Sequence, residues 1–381
     1  MKILVLNCGS ASVKYRLIET SAALMAANED RVLAGGAVED TTCYERAVKT
    51  AIDLIGNHSE IDAVGHRIVH GGRFSSAVVM DDSVVREIED VSALAPLHNP
   101  VHLCGYRASR AILPNCPHVA VFDTAFHQTI PRHAYLYAIP YDLYTRHNVR
   151  RFGFHGTSHR YVSLRYAQLQ GRGPEAFRLI TCHLGNGCSV CAVDRGRSVD
   201  TSMGFTPLEG LVMGSRAGDL DAGALLYLME KEGLNIEETN RFLNRECGLR
   251  GVSGISNDMR ELLACVERGD ELARLAVEIF CYRVKKYIGA CFAAMNGADA
   301  IVFTAGIGEH AAAVRERICE SMGALGVRID CEKNLAATGM EMDISAAGSA
   351  TRVWVIPTRE ELLIARETLG AVLSASPIEA Q

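Results

Sequence analysis

Three short turns rich in Gly, Ser and Asn, each set directly after an apolar run, constrain this chain more than any other feature. They are Asn7-Cys8-Gly9-Ser10-Ala11-Ser12, His183-Leu184-Gly185-Asn186-Gly187-Cys188-Ser189 and Thr304-Ala305-Gly306-Ile307-Gly308-Glu309. A single glycine turn is ordinarily a hairpin. Three in one chain point to a ligand that several backbone N–H groups must approach closely, most often a phosphate chain. Only the third turn leads into a helix, and the first two lead into further strands. A Walker-type loop and a Rossmann fingerprint both open a helix, so the pattern argues against either. The expectation is a nucleotide held between two β-rich half-structures.

The 381 residues suffice for two domains of ordinary size. A chain that is 48% hydrophobic and 22% charged has a globular balance. The net charge of −6, with Lys and Arg scattered, disfavours a nucleic-acid surface. Behind Met1-Lys2 only four apolar residues precede Asn7, too few for a signal core, and no apolar run reaches membrane-spanning length. A cytoplasmic protein with no membrane partner is expected. The 13 cysteines are odd in number and spread along the chain, as expected of small buried hydrophobes in a reducing compartment. Cys188 and Cys191 have CxxC spacing, but in a strand residues three apart face opposite sides, so no shared metal is expected.

Residues 2–19 read as a hairpin, 44–56 as a helix and 63–69 as a buried strand stopped by Gly71-Gly72. Residues 83–95 read as a helix ended by Pro96. Val119–Asp123 is a buried strand with a carboxylate at its carboxyl end, where ligands bind in open α/β sheets. The pattern restarts at 178: strand, Gly/Ser turn, strand, tight turn at 194–197, strand. The repetition suggests a duplicated fold with a cleft between its halves. A long helix over 271–295 closes on Asn296-Gly297. Strand 300–303, a helix near 310–321 and strand 352–357 follow. Thr358 and Glu361 have capping-box spacing, which leaves Glu360 in the first helical turn.

Polar groups crowd into otherwise apolar stretches at a few places. Arg67 lies inside an apolar strand and needs an anionic partner, either a ligand or an internal salt bridge. Arg216 lies between glycines that permit close ligand approach. Two such arginines suit a transferring phosphoryl group. Asp123 and Glu360 are candidate Mg²⁺ ligands, since Mg²⁺ takes one or two carboxylates plus water and phosphate oxygens. Asp123 has a cap role as its alternative. His98 and His155 sit in rigid loops and suit hydrogen bonding to a carboxylate or phosphoryl group. His66 and His70 lack the Glu of a zincin motif and read as structural.

The order and wording of these segments resemble the acetokinase family, within the acetate and sugar kinase, Hsp70 and actin superfamily. The resemblance runs from end to end. It rests on LNCGSASVKY at 6–15, GHRIVHGG at 65–72, APLHNP at 95–100, FDTAFH at 122–127, RFGFHGTSH at 151–159 and CHLGNGCSV at 182–190. It continues through DTSMGFTPLEGLVMGSRAGDLD at 200–221, FTAGIGE at 303–309 and IPTREELLIARET at 356–368. The block at 200–221 is the most specific of these.

The resemblance implies an α/β fold of two ribonuclease-H-like, actin-like ATPase domains with the active site in a cleft between them. The first would hold 1–127 plus 361–381, and the second 128–360. It implies reversible, direct in-line transfer of the ATP γ-phosphoryl group to acetate, with Mg²⁺ or Mn²⁺ as metal, in a homodimer. Arg67 and Arg216 then fall on the phosphoryl-stabilising arginines, and His155 and His98 on active-site histidines. Asp123 and Glu360, with Asn7, fall on the metal positions. Val69, Leu97, Phe154 and Pro207 fall on the acyl pocket. Ser10, Ser12 and Lys14 fall on the first phosphate segment, and His183, Leu184, Gly185, Asn186 and Gly187 on the second. Asp258, Met259, Arg260 and the turn Gly306, Ile307, Gly308, Glu309 fall on the adenosine side. Arg359, His310 and Met259 depart from the family's usual wording. A propionate kinase is the nearest alternative, and an actin- or Hsp70-like ATP-driven switch is the alternative from another class.

Overall fold

The computed structural model describes residues 1–9, 12–39, 43–56, 60–95 and 98–375. Ser10 and Leu97 therefore lie outside the described residues. The chain divides into one unit of residues 1–128 with 359–381 and another of 129–358.

The first unit is built on a six-stranded sheet. Its strands are β1 (Lys2–Cys8), β2 (Val13–Glu19), β3 (Arg31–Val38), β4 (Ala63–Ile68), β5 (Val78–Val79) and β6 (His118–Phe122), in the order β3-β2-β1-β4-β6-β5. β1, β2 and β3 form an antiparallel meander, and β1, β4 and β6 run parallel. Successive strand residues face opposite sides. Leu4, Leu6 and Val64 pack with Ala47, Val48 and Ala108 of the helices Tyr44–Asp53 and Asn99–Ile112. The neighbouring Gly65 faces the helix Glu360–Ala375, where a Cβ would lie 2.4 Å from Thr368 Oγ1. Two helices thus cover one face, and the last helix of the chain covers the other.

The second unit repeats this plan. Its strands are β7 (Arg178–Leu184), β8 (Cys188–Asp194), β9 (Arg197–Thr201), β10 (Ala300–Thr304), β11 (Met342–Asp343) and β12 (Arg352–Val355). The order is β11-β12-β10-β7-β8-β9, with β7, β8 and β9 antiparallel and β7, β10 and β12 parallel. Strand for strand this is the topology of the first sheet. The duplication suggested by a single motif therefore extends over whole sheets. The first and second Gly/Ser turns occupy equivalent places, between the first two strands of each sheet. The third opens the helix Ala305–His310.

Short polar residues start the helices. Asp81, Asp221, Asp258, Asp270 and Asp330 each accept a backbone N–H as N-cap, and Asn235 with Glu238 forms a full capping box. The capping-box reading of Thr358 and Glu361 is not what the structure has. The helix begins at Glu360, and Thr358 Oγ1 is buried without a hydrogen-bond partner, while the Thr358 N–H donates to Glu309 Oε1 at 3.1 Å. Among the described residues no helix is long and apolar enough to cross a membrane.

Candidate active site

The parallel strands of the first sheet deliver chemistry to one edge. Asn7 is near the carboxyl end of β1, Arg67 near that of β4, and Asp123 directly follows β6. Arg67 Nε and Nη2 donate to Asp123 Oδ1 and Oδ2 at 3.1 and 2.7 Å, a bidentate pair. Glu360 Oε2 lies 3.7 Å from Arg67 Nε. Asp123 is 1% exposed, and Arg67 and Glu360 are 19% and 14% exposed by side chain, so the charges act in a poorly hydrated setting. Burial, and the Asp123 charge against the relief from Arg67, push the Glu360 carboxyl above its ordinary value. Burial works against the Arg67 guanidinium, but Asp123 and Glu360 outweigh it and hold its pKa above the usual arginine value. Two carboxylates face one guanidinium, which leaves one negative charge in excess. The salt-bridge reading of Arg67 is thus the arrangement present.

Asn7 is the register partner of Lys14 across the β1–β2 hairpin, and the Ser12 carbonyl accepts the Gly9 N–H at 2.8 Å. His98 is the N-cap residue of the helix Asn99–Ile112. Val69 is 5% exposed, and its N–H donates to His102 Nδ1 at 3.3 Å.

In the second unit, His155 adopts φ 57° at the start of the helix Gly156–Leu169. Its Nδ1 lies 2.8 Å from Ser189 Oγ, and its ring stacks on His183 at 4.1 Å and 22°. His183 Nδ1 is 2.7 Å from Ser158 Oγ. A Cβ at Gly187 would lie 3.3 Å from His155 Nε2 and 3.7 Å from Arg216 Nη1, so imidazole and guanidinium flank the same glycine. Arg216 Nη1 donates to Pro207 O at 3.0 Å and touches Met213 Sδ at 3.6 Å. Both partners are neutral, and burial lowers the Arg216 pKa. The second Gly/Asn turn is tied to the arginine loop. Gly214 N–H donates to Asn186 O at 3.0 Å, and a Cβ at Gly214 would lie 2.1 Å from Asn186 Oδ1. Phe154 is only 1% exposed, whereas Pro207 is half-buried.

A cavity of about 550 Å³ opens beside that turn, lined by Gly185, Asn186, Asp258, Met259, Arg260, Gly306, Ile307 and His310. The structure thus gathers the second and third turns and the segment at 258–260 around one volume. Glu309 is otherwise engaged, with Oε1 accepting from Thr358 N–H and, at 3.5 Å, from Thr304 Oγ1. Leu184 is fully buried and His183 8% exposed, beneath the turn. Asn257, Leu263 and Ala311 also line the cavity and escaped the sequence reading. Leu263 follows Met259 by four positions on one helix, a spacing that marks a shared face.

Arg315 also escaped it. It is fully buried and donates to the carbonyls of Gly308, Glu309, Asn334 and Ala337 and to Asn334 Oδ1, at 2.7 to 3.0 Å. Burial lowers its pKa to about 10. It pins the end of the third turn from below, through the negative ends of two short helices. No glycine or motif flanks it to give a signal.

Comparison with known proteins gives one consistent result. The model of the acetokinase family matches residues 2–366. The acetate kinase of Chloroherpeton thalassium is 50% identical, covering 98% of this chain and 99% of the relative. That of Acetivibrio thermocellus is 49% identical over 98% of this chain and 99% of the relative. Among solved structures, Porphyromonas gingivalis acetate kinase superposes with TM-score 0.91 at 43% identity, over 97% of this chain and 99% of the other. A propionate kinase from Francisella tularensis superposes with TM-score 0.88 at 41% identity, over 97% and 99% of the two chains.

Proposed function

This chain belongs to the acetokinase family and has the two-domain actin-like ATPase fold of an acetate kinase, a phosphotransferase acting on acetate, and from that premise we propose how its own residues carry the transfer. The whole-chain family match is the observation that carries the reading. The reaction moves the ATP γ-phosphoryl group to an acetate oxygen, giving acetyl phosphate and ADP, and is reversible. Acetate is ionised near pH 7, so the acceptor needs no general base. Catalysis then reduces to positioning and to neutralising charge that develops on the transferring group.

In the proposal the second unit holds the nucleotide. The adenosine lies in the cavity at 258–260 and 306–310, and the backbone N–H groups at 185–187 and 306–308 take the phosphates. Among the described residues Arg216 rests on a carbonyl and a thioether and pairs with no carboxylate, which leaves its charge for an anion. His155 donates a hydrogen bond beside it. In the first unit Asp123 and Glu360, with Asn7, would hold Mg²⁺. The excess negative charge there and the raised Glu360 carboxyl fit a divalent cation. Among the described residues no cage of three or more metal-ligating side chains is present, and a carboxylate pair is what Mg²⁺ takes. When bound, the ion supplies charge to the phosphate oxygens. Mn²⁺ fits the same oxygen donors. Asp123 also orients Arg67 through the bidentate pair. Val69, Phe154 and Pro207 are assigned to the methyl group of the acceptor.

Two further assignments belong to this reading. The helix Ala222–Glu232 has no buried residue, with Leu226 68% and Tyr227 60% exposed and nearby Ile236 83% exposed. A second copy of the chain is proposed to cover it, giving a homodimer. All 13 cysteines are free thiols, which suits the cytoplasm, where ATP is also found.

The test is ADP formation from Mg·ATP with acetate, propionate, butyrate or no acceptor, trapping acyl phosphate as hydroxamate. Hydroxamate highest with acetate and falling with chain length is expected. A maximum at propionate favours the second reading, which the Francisella tularensis neighbour supports. One methylene is worth only about 1–3 kcal/mol, so both acids will react to some degree. ADP release that ignores the acid overturns the proposal and favours a nucleotide switch.

A further inference from the structure

Three segments of the second unit meet on the carboxylate of Glu209. Its Oε1 accepts from Arg151 Nη2 at 2.6 Å, and its Oε2 accepts from the Tyr137 hydroxyl. Both directions are fixed by the groups themselves, because a guanidinium only donates and an ionised carboxylate only accepts. The Tyr137 oxygen in turn accepts the Phe205 N–H at 2.8 Å. Burial, and after it the hydrogen bond to Glu209, push the Tyr137 hydroxyl above its ordinary value, so it keeps its proton at neutral pH. Gly204 makes room for this meeting, since a Cβ there would strike both Glu209 Oε2 and the Tyr137 hydroxyl.

Two residues assigned to the acceptor hang on these bonds. Arg151 leads directly into Phe152-Gly153-Phe154-His155. The Gly204 carbonyl accepts the N–H groups of Phe152 and Gly153 at 3.0 and 3.2 Å, and the Phe152 and Phe205 rings lie 6.2 Å apart. Arg151 Nη1 ties the same stretch to the carbonyls of Thr201, Ser202 and Met203. On the other side, Pro207 lies in the loop that Glu209 ends, and its carbonyl accepts from Arg216 Nη1 at 3.0 Å. Residues 202–221 contain no strand or helix, so no backbone ladder sets the distance from Phe154 to Pro207. Side chains set it, through the charge-assisted bonds that converge on Glu209.

We infer that Glu209 is a specificity-determining positioning residue, which with Tyr137 and Arg151 sets the separation of Phe154 and Pro207 and thereby the length of carboxylic acid that is accepted. The inference rests on the proposed reading for the assignment of Phe154 and Pro207 to the methyl group. Two variants test it. Glu209→Gln keeps the shape of the side chain, but its single carbonyl oxygen cannot accept from Arg151 and Tyr137 together, and Asp200, 4.0 Å from Arg151 Nε, remains as a counter-charge. Tyr137→Phe removes one hydroxyl and leaves the ion pair with Arg151, which keeps the test available if Glu209→Gln does not fold. A pocket discriminates one methylene by roughly 10–200-fold, so the kcat/KM preference for acetate over propionate is expected to fall by about five-fold or more in each variant. The fall is expected in KM for the acid, while KM for ATP stays within about two-fold. Amide exchange read by mass spectrometry is expected to quicken at Phe152 and Gly153. A preference for acetate that holds in both variants while the thermal midpoint drops makes the cluster a structural brace only and overturns the inference. A parent protein that forms no acyl phosphate with either acid is a failure of the acetate reading instead. Unchanged exchange at Phe152 and Gly153 in Glu209→Gln overturns the clamp itself, whatever the acceptor.

Discussion

At the scale of single residues, the two arginines identified from the sequence differ in what surrounds them. Arg67 is bound to Asp123, so removing it strands buried carboxylates. Arg216 rests on a carbonyl and a thioether, a poor setting for a buried cation. Arg216→Leu is therefore expected to lower kcat by about 10³-fold while the urea midpoint holds or rises. A midpoint that drops with kcat would make Arg216 a structural residue. Histidines of the first unit give a second expectation. Burial, with the neighbouring His118 and His102 rings, holds His66 well below the usual histidine range, burial with the Arg67 guanidinium does the same for His102, and burial brings His118 to about 4. All three are neutral in the fold, whereas the unfolded chain takes up protons near pH 6.5. Their effect on stability is flat above that pH and grows more adverse as pH falls toward 4. Urea midpoints are expected to hold from pH 8 to 7 and to decline steadily from 6.5 to 5. Constancy across that lower range would mean these rings are accessible to protons in the fold. The sequence marked Arg67, Arg216, Asp123 and His155 because a charge or ring inside an apolar or glycine-rich run is locally anomalous. Arg315 acts through backbone carbonyls of two other segments, and nothing local singles it out.

At the scale of elements, the central strands were legible because each is a short apolar run bounded by turn residues, whereas the edge strands β3, mostly exposed, and β5 and β11, two residues each, carry no such run and went unread. The segment at 200–221 was legible only as wording. From Ser202 to Asp221 it contains no strand or helix, and side chains from elsewhere hold it. Arg151 Nη1 donates to the carbonyls of Thr201, Ser202 and Met203, and Nη2 binds Glu209 at 2.6 Å. Asp219 accepts from Gly210 N–H and from the Tyr287 hydroxyl. Such a loop has no periodicity to read, although its structural demands are dense. Helix placement had the same character. The apolar residues of 360–375 announce a helix, but the close approach to β4 depends on Gly65 facing Thr368 and Ile364. Gly65→Ala is expected to destabilise the protein by about 1–3 kcal/mol, as overpacking does. Thr368→Ala in the same chain should recover part of the loss, measured as a coupling between the two changes. Additive losses would place the strain elsewhere.

At the scale of the whole molecule, one topology occurs twice, and the chain returns to its first sheet only after building the second. The helix Glu360–Ala375 buries Leu362, Leu363, Ile364, Ala365 and Leu369, and Arg366 pairs with Asp30. A chain ending at Thr358 is expected to lose protease resistance in residues 1–128 while residues 129–358 keep theirs, read by mass spectrometry of limited digests. Equal protection of both would show that the first sheet does not depend on this helix. The return path also sets an order of events on the ribosome. Residues 1–128 emerge first, yet the helix that covers one face of their sheet is made only after the whole of 129–358. At ordinary elongation rates that interval is roughly 10–50 s. For that time the uncovered face of β1, β4 and β6 stands in water on a tethered nascent chain. The segment made first is thus the last to be completed, and it is the natural client of whatever chaperone waits at the exit tunnel.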